Sequence, residues 1–82
     1  MNITIRYFAG ARAAAGVETE DLALEPGTTV AGLTQVLAER HGAALARVLA
    51  VASLLVDEVV AGSSAPLPDG ARVDVLPPFA GG

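Results

Sequence analysis

The stretch Pro77-Pro78-Phe79-Ala80-Gly81-Gly82 is the part of the chain whose residue types and order bear on chemistry. Two prolines stiffen the exit from a strand-like run into an extended path. Ala80, Gly81 and Gly82 have almost no side-chain bulk, and six extended residues reach ~20 Å. Such a segment gains little by packing on its own domain. It can thread a narrow channel in another protein, because glycine lets backbone walls come close. At its tip is the α-carboxylate of Gly82. An ionised carboxylate has no leaving group and is a poor acyl donor. As an acyl-adenylate made with ATP it becomes reactive, and glycine offers no β-branch to hinder a nucleophile at the carbonyl. The segment therefore reads as the reactive end of a carrier, a globular handle bearing a switchable acyl group. The plainer reading is a frayed terminus.

The rest of the composition narrows the chemistry. There is no cysteine, so disulfides, cysteine-ligated metals and thiol chemistry are excluded. A lone His41 cannot build a metal site, and no carboxylates stand at metal-ligand spacing. With one histidine and no acid–base constellation, a freestanding enzyme is the weakest reading. The five basic residues are all arginine, Arg6, Arg12, Arg40, Arg47 and Arg72. They form no stripe, so nucleic acid is not an expected partner. Without lysine, the chain offers no side-chain amine for acylation. Glu18, Glu20, Asp21 and Glu25 form an acidic run in a chain of net charge −4. That run reads as a solvated face, with a docking site for a basic partner as the alternative.

A chain of 82 residues makes one domain and buries only about 60–65% of its unfolded surface. The segment Asn2–Phe8 alternates, with Ile3, Ile5 and Tyr7 on one side and Thr4, Arg6 and Phe8 on the other, which predicts a first strand. Gly10 to Gly16 is small and loop-like, with room for one helical turn. Val17–Leu24 reads as a second strand, antiparallel to the first and acidic outside. Its apolar residues change phase between Thr19 and Leu22, which a bulge would reconcile. After the turn Glu25-Pro26-Gly27, Thr28 or Thr29 caps the main helix. Val30, Leu33, Val36 and Leu37 form its apolar face, Arg40 and His41 suit its last turn, and Gly42 ends it. His41 is thus read as a helix-end residue rather than a proton relay. The stretch Leu45–Val56 fits helical spacing, but Ser53–Val56 and Val59–Ala61 also read as two strands around Asp57-Glu58. Helix or coil to about Arg47 and strand thereafter is the expectation. Asp57-Glu58 is a mediocre hairpin turn, since glutamate resists positive φ. A proline-rich loop leads to the last strand, Arg72–Leu76, ended by Pro77 and Pro78. The first and last strands should pair at the centre of a mixed sheet, with the helix across one face, giving a two-layer α+β fold.

The longest apolar stretch is too short to span a bilayer, which takes ~20 residues, and the opening strand pattern leaves no place for a signal peptide. No membrane contact and a cytoplasmic location are expected.

The sequence Val75-Leu76-Pro77-Pro78-Phe79-Ala80-Gly81-Gly82 closely resembles the end of the MoaD-type small subunits of molybdopterin synthase, within the MoaD/ThiS ubiquitin-like family. Ile3–Gly16 resembles the family's opening strand and following turn, Thr28–Gly42 occupies its helix, and Ala65–Pro78 resembles its approach to the last strand. The family often has Val-Asn at the middle hairpin, where this chain has Val56-Asp57. The resemblance implies a ubiquitin-like β-grasp domain over residues 1–76 and an extended tail over 77–82. It decides Ser53–Val60 in favour of strands. It implies that an E1-like adenylyltransferase adenylates Gly82 with ATP, and that a sulfur donor converts the adenylate to a thiocarboxylate. The tail then enters the large molybdopterin synthase subunit and gives sulfur to the pyranopterin precursor of the molybdenum cofactor. This chain would bind no cofactor of its own, and supply a reactant rather than an active site. Gly81 and Ala80 would keep the tail thin and Phe79 would anchor in a partner pocket, unless it folds back on its own sheet. Phe8, Leu76, Pro77 and Pro78 would form the interface around the tail, with burial of Phe8 under a second layer as the alternative. Sulfur carriers for thiamin thiazole or cysteine synthesis share the Gly-Gly end. A lysine-conjugated modifier and an interaction module without sulfur transfer are the other readings.

Overall fold

A computed structural model describes residues 1–78. Eight elements follow in chain order: β1 (Asn2–Tyr7), α1 (Gly10–Ala15), β2 (Thr19–Ala23), α2 (Val30–His41), α3 (Ala43–Leu49), β3 (Ser53–Val56), β4 (Val59–Val60) and β5 (Arg72–Leu76). The strands form one mixed sheet in the order β2-β1-β5-β3-β4. The first and last strands lie side by side in parallel, with Thr4 level with Arg72 and Tyr7 with Val75. Every other pairing is antiparallel.

The alternation along β1 decides which face is covered. Ile3, Ile5 and Tyr7 are fully buried, and they meet Val73 and Val75 of β5, Leu22 of β2 and Leu54 of β3. Against this layer lie Val30, Leu33 and Leu37 of α2 and Leu45 and Leu49 of α3. The helices cover that face alone. The opposite face of the sheet carries no second layer within the described residues.

The expected phase change in β2 is resolved without a bulge. The strand starts only at Thr19, Val17 stays outside it and is 40% exposed, and Leu22 sets the inward phase. The same phase turns Glu20 inward, so the acidic run is not wholly a solvated face. Glu20 is largely buried, whereas Glu18, Asp21 and Glu25 are exposed.

The start of α2 finds partners for the N–H groups of its first three residues, which have none within the helix. Thr29 is the N-cap, and its Oγ1 accepts from Gly32 N at 3.2 Å while its carbonyl accepts from Leu33 N. The N–H groups of Val30 and Ala31 donate to Ala65 and Ser63 carbonyls. The proline-rich loop is thereby pinned to the helix, with Leu67 plugged into the core. Residues 43–49 are helical and 53–56 are strand, so both competing patterns in that stretch are used, one after the other. Asp57 and Glu58 form the hairpin turn at φ 49° and 71°.

Candidate functional site

The tail leaves the sheet from its middle. β5 lies between β1 and β3, ends at Leu76, and gives way to Pro77 and Pro78. A central strand is held by ladders on both sides, so the root of the tail is fixed in position and direction. Of the residues assigned to the tail and its interface, Phe8, Leu76, Pro77 and Pro78 are described. Phe79, Ala80, Gly81 and Gly82 lie outside the described residues.

Phe8 sits at the same edge of the sheet. Its N–H donates to the Val75 carbonyl at 3.3 Å, which carries the parallel register one step past Tyr7 and Val75. Phe8 is thus level with Leu76 on the uncovered face. Both are half-buried, as is Pro77, while Pro78 is exposed. Immediately after Phe8 the chain turns through Ala9 at φ 49°, ψ −123°, a conformation that glycine adopts freely and alanine does not. Among the described residues no second layer covers Phe8, which is half-buried on the outer face.

Next to Phe8 is a charged triad that the linear sequence does not flag. Asp74, at the centre of β5, is only 7% exposed. Arg6 of β1 and Arg72 of β5 each bring their Nε to 3.6 Å from its Oδ1. Arg72 also donates through Nη2 to Glu58 Oε1 at 3.0 Å. The Arg6 guanidinium lies 5.0 Å from the centroid of the Phe8 ring, within cation–π range. Alternation places Asp74 on the outer face. It is buried there between the guanidinium groups of Arg6 and Arg72. Nothing local in the sequence marks the pair, because the register that sets Arg6 level with Asp74 is fixed only when β1 and β5 lie side by side.

A second polar cluster lies on the covered face. His41, the last residue of α2, brings Nε2 to 2.8 Å from Glu20 Oε2, and Arg40 Nε lies 3.2 Å from Glu20 Oε1. The His41 ring meets Tyr7 edge-on at 5.8 Å. The Tyr7 hydroxyl is buried and makes no hydrogen bond of ordinary geometry. Burial, then the nearby Glu20 charge and the approach of the hydroxyl to that carboxylate outside ordinary hydrogen-bond geometry, hold its pKa far above the usual phenol value, against an opposing pull from Arg40. The group clamps the end of α2 to β2. His41 is the helix-end residue that its position in the sequence implied.

Two grooves on the described surface, of about 310 and 360 Å³, are lined by α2, α3 and the β3–β4 edge. The larger reaches Ser53, which is level with Leu76 at the tail root. Among the described residues no three of His, Asp and Glu come together to hold a metal, and no helix is long and apolar enough to cross a membrane.

Known structures share this architecture. SAMP1 of Haloferax volcanii superposes with a TM-score of 0.87 at 22% identity, covering 100% of both chains. A putative molybdopterin converting factor subunit 1 from Pyrococcus furiosus gives 0.82 at 25% identity over 96% of this chain and 99% of the other. The complex of subunits 1 and 2 of molybdopterin-converting factor from Helicobacter pylori gives 0.71 at 23% identity, covering 100% of both chains. The fold is thus the ubiquitin-like β-grasp. No curated protein sequence matches the chain. The sequence model of the ThiS family takes in everything from the second half of β1 to the terminal glycines, matching residues 5–82, and the chain belongs to the ThiS family.

Proposed function

We propose that this protein is the sulfur-carrying small subunit of a molybdopterin synthase, with the carboxylate of Gly82 as the group that is activated and loaded. The observation that carries the reading is the placement of the tail root. A stiff, proline-led tail leaves the central strand beside a half-buried aromatic on a sheet face that no layer of the described residues covers. That arrangement holds the domain as a handle against a larger protein while the thin end reaches into it.

In chemical terms, the Gly82 carboxylate attacks the α-phosphorus of ATP on an E1-like adenylyltransferase and expels pyrophosphate. A hydrosulfide-level donor then displaces AMP, leaving a C-terminal thiocarboxylate. The large synthase subunit takes up the tail, and the sulfur passes to the pyranopterin precursor. Water returns the terminus to a carboxylate. Phe8, Leu76, Pro77 and Pro78 dock the domain, Phe79 anchors the tail, and Ala80 and Gly81 keep it narrow. This chain contributes a reactant; ATP belongs to the activating enzyme, and the loop and strand residues bind no cofactor.

The likeness to a converting-factor subunit 1, and the complex of subunits 1 and 2 from Helicobacter pylori, support this pathway over the thiazole and cysteine routes. Reconstitution tests it. The chain is combined with ATP, sulfide, the adenylyltransferase and large subunit of the same genome, and the pyranopterin precursor. Dithiolene product should form, and should be lost when Gly82 is deleted although the domain stays folded. Product formation without Gly82, or transfer to a thiazole synthase in place of the large subunit, would contradict the reading.

A further inference from the structure

We infer that Arg6 is a specificity contact on the uncovered sheet face, poised to receive an aspartate or glutamate side chain from the protein that docks around the tail. The inference rests on the reading of this face as the docking surface.

Arg6 differs from its neighbour Arg72 in how its donors are used. Arg72 gives one donor to Glu58 at 3.0 Å. Among the described residues, Arg6 has an ion pair with Asp74 alone, at 3.6 Å, longer than a hydrogen bond. A guanidinium has five N–H donors and no acceptor, so Arg6 keeps nearly all its hydrogen-bonding capacity while 38% of its side chain is exposed. Its position is nonetheless fixed. The Asp74 carboxylate lies beneath it and the Phe8 ring lies 5.0 Å from its guanidinium carbon. Asp74, with its Oδ1 lacking any hydrogen bond, is a positioning residue. A carboxylate buried in mid-sheet is costly unless charges surround it, and here its effect is to hold two arginines in place.

The surroundings define the partner. On the same face, the register sets Leu55 level with Asp74 and Val60 level with Leu55, and Val60 is 71% exposed. With Phe8 and Leu76, these form an apolar flank on the β5–β3–β4 side of Arg6, while Thr19 of β2 lies level with it on the other side. A protein seated on that flank excludes water from the guanidinium. An apolar or basic group opposite would bury the exposed Arg6 donors without hydrogen-bond partners, which is unfavourable even with Asp74 beside the charge. A carboxylate presented in the plane of the fork satisfies it with two parallel hydrogen bonds. The face thus fits an acidic side chain flanked by apolar ones, and selects against partners lacking it.

The test measures binding of the full chain to the purified adenylyltransferase and to the large synthase subunit of the same genome, by calorimetry at two salt concentrations. Arg6→Ala and Arg6→Glu should weaken at least one complex by about tenfold or more, with a shallower salt dependence. Arg6→Lys should restore only part of the affinity, because lysine has charge without the fork. Arg47→Ala, an exposed change on α3, should bind as wild type. Since removing Arg6 alone strands Asp74, the pair Arg6→Gln with Asp74→Asn removes both charges, and it should show the same loss in a folded domain. If all Arg6 variants bind both proteins within about twofold of wild type while the wild-type tail is still loaded with sulfur, this inference fails and the carrier reading stands. If the wild-type chain binds neither protein, both fail.

Discussion

Tyr7 isolates one ionisation that the fold must suppress. It is the single tyrosine, in a chain without cysteine or lysine, so no other side chain titrates between about pH 9 and 12. Its folded pKa is raised, chiefly by burial, so the folded state keeps the proton when the unfolded chain has lost it. Its contribution is intact below the unfolded value of ~10, and stability then falls by about 1.4 kcal/mol for each further pH unit. Denaturant unfolding at about pH 8 and pH 11 should show this loss in wild type, and Tyr7→Phe should abolish most of it. Near neutrality the variant should match wild type within about 1 kcal/mol, since it deletes a hydroxyl without a hydrogen bond. Phe8 sits in the opposite situation. It is half-buried on the uncovered face, so Phe8→Ala should cost about 1 kcal/mol or less in stability yet weaken docking to the large subunit by tenfold or more, about 1.4 kcal/mol. Binding and unfolding measured on one preparation separate the two effects. Equal losses in both would make Phe8 a core residue.

The elements differ in how openly the sequence declares them. β1, α2 and β5 are legible because each has one buried face and period and capping agree, down to Thr29 as N-cap. Replacing Thr29 by alanine should cost about 0.5–2 kcal/mol, read as a shift in the denaturant midpoint. β2 is less legible: an acidic run reads as solvated, yet Glu20 faces inward because His41 and Arg40 meet it there. Pairing of that kind is set by residues twenty positions away, which no local pattern carries. Residues 43–56 defeat periodicity for a different reason. A short helix and a short buried strand follow each other without a turn signal between them, so their apolar residues merge into one helical pattern. The hairpin at Asp57-Glu58 was legible as a poor turn and is one, since both residues adopt positive φ. Glu58→Gly should therefore stabilise the domain by about 0–2 kcal/mol. The gain is relief of left-handed backbone, about 1–2 kcal/mol, less an exposed ion pair to Arg72 worth about 0–1 kcal/mol. A lower midpoint than wild type would mean that the Arg72 contact outweighs the strain.

At the scale of the molecule, the described residues cover one face of the sheet and leave the other uncovered, and the tail root lies where the uncovered face meets a central strand. Alternation placed Phe8 on the face opposite Ile3 and Ile5 and Leu76 on the face opposite Val73 and Val75, and there the structure has them. Asp74 and the use of Arg6 were not legible, because they arise only when β1 and β5 are placed side by side. The lysine-free sequence adds a consequence at this scale. If the terminus is activated, no side-chain amine of another copy can capture it, so branched chain-to-chain adducts should be absent from activation reactions analysed on denaturing gels. The central claim is that the Gly82 carboxylate is converted to a thiocarboxylate, and intact-protein mass spectrometry of the chain purified from its native host tests it most directly. A fraction of chains should be heavier by the difference between one sulfur and one oxygen, with the change confined to the terminal peptide and missing when a residue is appended after Gly82. A terminus that stays an unmodified carboxylate in the presence of the activating enzyme, ATP and a sulfur source would contradict the account.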